Sequence, residues 1–471
     1  MLFRSAVEVP AGSVANLVVD SIALTGSAAV LSGLAITGSG KVVVSALQAT
    51  PGADLSRIET ATVEASLDLG SAVISVKGES ADTPRTIDLA NVAYIAGGDY
   101  ELEIGEDNFS LPEEFQYSSL FAIVAALAIE INNKTPGSAT VDGTKITVSG
   151  AGLKDIDFEL EVKVTGHLGK SVVSISGMGE VNIDVGANLG AASFIVAKGT
   201  ELEGSWVQLN GKTVNGDGNL AVLFGHFHYD AMLNSTNFAA SLRVTAEIEG
   251  YVNLTGQTLS NFDGFEIHSG RLIITAEQAS GRYLWKDSEG DSYGGSVTII
   301  GSDGDQTIDV SNIDGYQTFN VIAGGEGADK IKLGAGSNML VYSSSDTLTA
   351  VDTADALFGN MDLITGWAAG FANQIGLVTV GAHTFVAQEV TQLFVEDLLV
   401  GNADLLQVFT AVDYFLSAGE VTSFQFGGNT YVFANLDNNS SAQLGSGDLA
   451  IELIGLHSLN DQHFMLGTNT A

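Results

Sequence analysis

The chain has 471 residues, with 56 acidic against 18 basic side chains, a formal charge of −38 and a mean hydropathy of +0.25. Phosphate binding needs clustered Lys and Arg, so this surface excludes nucleic acid and disfavours anionic membranes, and divalent cations are its natural counter-ions. There is no cysteine, so stability must come from burial, ladder hydrogen bonds or metal, and a hydrophobic content of 45% is too high for a disordered acidic chain.

The 56 glycines exceed the ordinary usage of about 7%, and with only 5 prolines and no collagen period they mark turns. Val, Ile, Thr and Ser dominate between them, which predicts a mainly β protein. Met1–Val19 has no basic region followed by a continuous apolar run, so no signal peptide is read there. Met1-Leu-Phe-Arg-Ser5 is similar to translated sequencing adapter, which predicts a fragment of a longer chain. The longest apolar run, Leu120–Ile131, contains Glu130 and is too short to span a bilayer, so no transmembrane segment is expected.

Residues 1–85 read as short strands punctuated by Gly and Ser, an irregular β-solenoid segment. Leu55–Val63 lines up with Leu259–Ile267, which predicts that 166–300 is a second stretch of the same solenoid. Between them, 86–165 reads as a small α+β module. It has a strand at Tyr100–Ile104, an amphipathic helix over Tyr117–Asn132 and a hairpin from Ala139 to Val148 turning on Asp142-Gly143. Gly38-Ser-Gly-Lys41 has the look of a P-loop, but Val42 stands where the Ser or Thr is needed. His226, His228 and Asp230 could ligate a metal, although a packed or surface pair is the commoner reason for such spacing.

One phrase is written four times between Gly304 and Tyr342, at 304–310, 315–321, 327–333 and 336–342. Each copy has a glycine, an amide or acid two residues on, then two apolar residues spaced by one. Glycine supplies the positive φ of a tight turn, and period two gives a very short strand with one buried face. The recurrence predicts β-roll rungs over 301–342, with Ile308, Phe319, Ile331 and Leu340 in one inward-facing column. Residues 343–471 read as a β-rich cap with a hairpin across Gly427-Gly428 and a strand near Asp448–Gly455; Val390–Tyr414 could be helical. No Lys or Arg follows Lys332, so the acids of this tail are solvated, paired upstream or bound to metal.

Gly324-Gly-Glu-Gly-Ala-Asp-Lys-Ile-Lys332 resembles the RTX nonapeptide, and the next nine residues keep its frame. Asp362-Leu-Ile-Thr-Gly-Trp367, the Gly-Gly-Asn-Thr-Tyr-Val hairpin and the basic-free tail resemble the C-terminal region of RTX proteins exported by type I secretion. The resemblance covers roughly 300–471. It implies a parallel β-roll that binds calcium, with Asp329 in the aspartate slot and Gly324, Gly325, Gly327, Gly334, Gly336 and Asn338 giving turn geometry and oxygens. Gln306, Gln317 and Asn338 fill the aspartate slot elsewhere, so such a site is weaker than the family's; the alternative is a metal-free turn. Asp346, Asp352, Asp355 and Asp362 are secondary candidates.

There is no His-Glu-x-x-His, so zinc-protease chemistry has no support in the chain. The sequence reads as a secreted, non-enzymatic bacterial surface protein, S-layer-like or adhesin-like, located at the cell surface. Its expected partners are Ca2+, further copies of itself, cell-surface glycans or lipopolysaccharide, and the type I secretion apparatus. Two other readings remain: the secretion module of an exported protease, lipase or polysaccharide-modifying enzyme, and a phage tail or fibre component suggested by 86–165.

Overall fold

The computed structural model describes residues 16–20, 23–76, 84–96, 98–105, 107–111, 117–135, 137–150, 153, 156–225, 233–286, 295–313, 319–334, 336–343, 346, 348, 351, 353–368, 373–378, 386–387, 404–435, 444 and 448–467. It is mainly β, 49% strand and 13% helix, and forms a parallel β-solenoid of about 13 turns. The chain divides into two compact units, Met1–Leu223 with Leu233–Thr245, and Phe224–Met232 with Ala246–Ala471.

In the first unit, Asn16–Val18, Ala35–Ser45, Ile58–Asp68, Val172–Ser176, Ser193–Val196 and Val214–Gly216 stack as parallel strands. Alternation decides which face is inside: Val42, Val44, Ile58, Val63, Ile175 and Phe194 are all buried. Gly38-Ser-Gly-Lys41 is a bulge within one of these strands, not a turn before a helix. A Cβ on Gly38 would lie 2.4 Å from the Val19 carbonyl oxygen, which explains that glycine without a nucleotide.

Val172–Ser176 lies directly on Ile58–Asp68, so the chain leaves this stack and returns to it one rung later. Part of the excursion is a small antiparallel sheet of Val73–Val76, Arg85–Asp88, Lys145–Val148 and Ala139–Asp142. The helix of the excursion spans Leu120–Lys134, starting three residues later than the apolar spacing suggests, because Ser119 caps it by accepting from the Ala122 N–H. Ile123, Val124, Leu127 and Ile131 are its buried face. Asn132 locks the hairpin to it, donating to the Ala139 carbonyl at 2.9 Å and accepting from its N–H at 3.0 Å. The hairpin pairs Asp142 with Lys145, so its loop residues are Gly143 and Thr144 rather than Asp142 and Gly143. A second sheet of this unit begins with Asp107–Ser110, Asp99–Ile104 and Ile156–Val164 antiparallel. It continues with Gly179–Ile183, Thr200–Ser205 and Asn219–Phe224 in parallel.

In the second unit the chain alternates between two parallel sheets. One holds Gly264–Thr275, Ser296–Ile300, Phe319–Ala323, Ser337–Tyr342, Gln374–Val378 and Phe464–Gly467. The other holds Thr307–Asp309, Lys330–Lys332, Asp362–Thr365 and Leu449–Leu453. The single column expected for Ile308, Phe319, Ile331 and Leu340 is therefore two columns. Ile308 registers with Ile331, Ile364 and Leu453, and Ile322 registers with Ile299 and Leu340. Successive phrases are half-coils, so a phrase stacks on its second neighbour. The copy at 315–321 is also misaligned by three residues: Phe319 pairs with Ser337, and Asn320, not Gln317, stands opposite Asn338. Gln317 itself lies outside the described residues.

The stack closes on a cap. Leu449–Leu453 pairs in parallel with Asp362–Thr365 on one side and antiparallel with Asn429–Ala434 on the other, so the ladder stops repeating there. Asn429–Ala434 forms a hairpin with Glu420–Phe426 across Gly427 and Gly428, both at positive φ. The helix Leu405–Phe415, capped by Asp404, buries Val408, Phe409 and Val412 against this hairpin; 388–403 lie outside the described residues. Among the described residues no helix is long and apolar enough to cross a membrane.

Candidate cation-binding turns

Two polar ladders run beside the apolar columns of the second unit, each at the entrance to a strand. The first contains Gln306, Asp329 and Asp362. Asp329 Oδ1 accepts from the Gln306 N–H at 2.8 Å, and Asp362 Oδ1 accepts from the Asp329 N–H at 2.7 Å. The second contains Asn320, Asn338 and Asn373, all buried. Asn320 Nδ2 donates to Asn338 Oδ1, and Asn338 Nδ2 to Asn373 Oδ1, both at 3.0 Å. Asp329 and Asn338 thus stand in different ladders on different sheets, and Gly334 and Gly336 accompany Asn338.

The turns differ in how they close. Gln306 Nε2 donates to the carbonyls of Ser302 and Gly304, four and two residues before it. Asn338 Nδ2 does the same to Gly334 and Gly336, at 3.4 and 3.2 Å. An amide supplies both an acceptor for the next rung and a donor for its own turn. Asp329 occupies the equivalent place after Gly325 and Gly327, and an ionised carboxylate has no donor to offer. Its Oδ2 is buried with no hydrogen-bond partner and lies 2.3 Å from where a Cβ on Gly324 would sit. Turn stacks on turn here: a Cβ on Gly301 would meet the Gly324 carbonyl oxygen at 1.6 Å, and one on Gly325 the Ser302 carbonyl oxygen at 2.5 Å.

Electrostatics at this corner favour an added positive charge. Burial first, then Asp305 and Asp346, pushes the Asp329 carboxyl up to about 6, against the bond from Gln306. Burial and Asp329 push Asp362 up to about 7. Tyr342 is raised well above its usual range by burial, then by the neighbouring Asp362; its hydroxyl faces that carboxylate without a well-aligned hydrogen bond. Asp346 Oδ2 accepts from the Ser343 N–H at 2.5 Å. The residues present fit a hard cation in the Asp329 turn: one buried carboxylate oxygen lacks a partner, acids converge, and no amide plugs the turn. Asp355 is exposed in the first turn of the helix Ala354–Phe358, away from any ladder. Asp352, His226, His228 and Asp230 lie outside the described residues.

The first unit carries a different acidic feature that residue counting alone did not reveal. Asp99, Glu161, Glu180, Glu201 and Asn219 stand opposite one another on five successive strands. Neighbouring strands lie about 4.8 Å apart, so the carboxylates repel. Burial, then Glu203, Glu201, Glu161 and Glu159, pushes Glu180 up to about 9. The signal was present in the sequence as Asp99, as Glu at alternate positions in Ile156–Val164 and Thr200–Ser205, and as Glu180 in Gly179–Ile183, but alignment across strands needed the register.

Comparison with family models and with curated proteins finds no match to this chain.

Proposed function

We propose that this chain belongs to a secreted, non-enzymatic bacterial cell-surface protein, structural or adhesive in the manner of S-layer and adhesin proteins with RTX-like rungs, which takes up Ca2+ after type I export. The observation that carries the reading is the buried, unpartnered Asp329 Oδ2 in a glycine turn whose stacked neighbour, at 302–306, is plugged by an amide. Asp329, with the carbonyls of Gly325 and Gly327, would hold the ion, which supplies the positive charge that the turn lacks. Extracellular sites of this type have Kd of about 10⁻⁴–10⁻³ M, so they stay empty in cytosol and fill outside. Binding to the folded state alone stabilises it by about 2.7 kcal/mol at one hundred times Kd. The formal charge of −38 and the stacked glutamates support a surface that associates with other copies or with cell-surface glycans through bridging cations.

The test is thermal unfolding of the full chain by circular dichroism, in chelator and in millimolar Ca2+. The expected result is a higher Tm with Ca2+, and loss of most of that increment in Asp329→Asn. An unchanged melting curve in Ca2+ would remove calcium from the account.

A further inference from the structure

Two strands of the second unit carry a second kind of site. Glu266 and His268 are two residues apart on Gly264–Thr275 and therefore face the same side. Glu247 lies on the adjacent strand Arg243–Asn253. One carboxylate oxygen from each glutamate and one imidazole nitrogen all lie within 4.8 Å of one another, and all three residues are half-buried. His268 Nε2 stands 3.7 Å from Glu247 Oε2. That is too long for a hydrogen bond, which needs about 2.7–3.2 Å, but it is close to the separation of two ligands on one ion. An ion centred in a triangle of side 4.8 Å is about 2.8 Å from each donor, and small rotamer changes bring this to the 2.0–2.2 Å of Zn–N and Zn–O bonds.

We propose that Glu247, Glu266 and His268 form a site for a divalent transition-metal ion of the Zn2+ class, bridging two adjacent strands. The imidazole decides the class: Ca2+ takes oxygen ligands, whereas one nitrogen with two carboxylates suits zinc and its neighbours. With three protein ligands, a four-coordinate ion would take a water molecule as its fourth. The site is independent of the calcium reading, because neither Asp329 nor the glycine turns take part.

The experiment uses the full chain, stripped with chelator and held in excess Ca2+ to occupy weak carboxylate sites. Co2+ is titrated in and read by visible absorption, then displaced with Zn2+. The structure also supplies a second readout, since Trp285 stands beside Glu266 on the next strand and is 41% exposed. The expected result is a single saturable equivalent with intense tetrahedral bands, quenching of Trp emission, and displacement by Zn2+. His268→Gln should weaken binding by more than about tenfold, and Glu249→Gln, an exposed acid on the strand that carries Glu247, should leave it unchanged. A weak, octahedral Co2+ spectrum in the unaltered chain, or equal binding by His268→Gln, overturns the proposal. If His268→Gln does not fold by circular dichroism, Glu266→Gln is read in its place, and the spectrum of the unaltered chain decides.

Discussion

Side-chain chemistry at one position sets how each glycine turn closes. An amide at the entrance to a strand donates to two carbonyls of its own turn, as Gln306 and Asn338 do, while an acid leaves that space for a cation. Changing Asn338 to Asp tests this directly. It removes donors to Gly334, Gly336 and Asn373 in a fully buried site, so in chelator the variant should lose about 2–4 kcal/mol of stability. Ca2+ should restore a substantial part of that loss, and should raise the variant's Tm by more than it raises that of the unaltered chain. A variant whose destabilisation ignores Ca2+ would mean that the turn cannot accept an ion even with a carboxylate in place. Several corners use a related device, of which five illustrate it. Asp54, Asn188 and Asn234 in the first unit, and Asn253 and Asp309 in the second, each accept from the N–H two residues on. These Asx turns end one strand and aim the next. Asp54 and Asp309 are held below the usual carboxylate range chiefly by the hydroxyls of Ser56 and Ser311.

The rung strands that follow Gly264–Thr275 are short, 3–6 residues each, so each persists only because its apolar residue sits on the rung before and after. Ile308, Ile331, Ile364 and Leu453 are 0–1% exposed, and burying each stabilises by about 1.5–3 kcal/mol. Among the described residues no parallel rung follows Leu449–Leu453 in its sheet, and an open edge there would expose both ladder groups and the apolar column. The hairpin and the helix Leu405–Phe415 supply the missing cover. Phe409 is fully buried there and meets Phe424, Phe433 and Tyr431 edge-on at 5.1, 5.5 and 5.8 Å. Phe409→Ala should therefore cost about 3–5 kcal/mol. Because the cap covers the rungs directly, proteolysis of the variant should begin in the second unit. A loss under 1 kcal/mol, measured by urea unfolding, would show that the helix is an accessory to the cap and not part of its core.

At the scale of the molecule, the stacked acids set the sign of the pH response above neutrality. Glu180, Asp362 and Asp329 have folded-state values raised to about 9, 7 and 6, so the folded chain binds protons more tightly than the unfolded one. Their stabilising contribution is complete below the unfolded carboxylate range and is lost as pH rises through 6, 7 and 9. Asp54, Asp88 and Asp309 are shifted the other way, and their contribution is lost only as pH falls below the ordinary carboxylate value. Metal-free protein should thus melt highest in mildly acidic buffer, with Tm falling steadily to pH 9. Glu180→Gln should flatten the upper part of that profile. A Tm that rises from pH 5 to pH 9 in chelator would contradict the stacked-acid account.

Composition, glycine spacing and period-two apolar residues were enough to read a β-solenoid with a β-rich cap, a helix over 117–132 and the two-glycine hairpin; the helix and the hairpin rest on contacts within about ten residues, and the solenoid shows itself as a repeated local pattern. Asp329 was named from the resemblance of 324–332 to the RTX nonapeptide, where it stands after Gly325 and Gly327. Local reasoning put Ile308 and Leu340 in one column and matched Gln317 to Asn338, because sequence phrases carry no record of which sheet they join. Half-coil alternation is fixed by which strands share hydrogen bonds, and partners such as Ile331 and Ile364 lie far apart along the chain. The Glu247–Glu266–His268 cluster and the row from Asp99 to Asn219 were invisible for the same reason. Side chains on neighbouring rungs become neighbours only when the register is set, and the register is decided by packing across the coils.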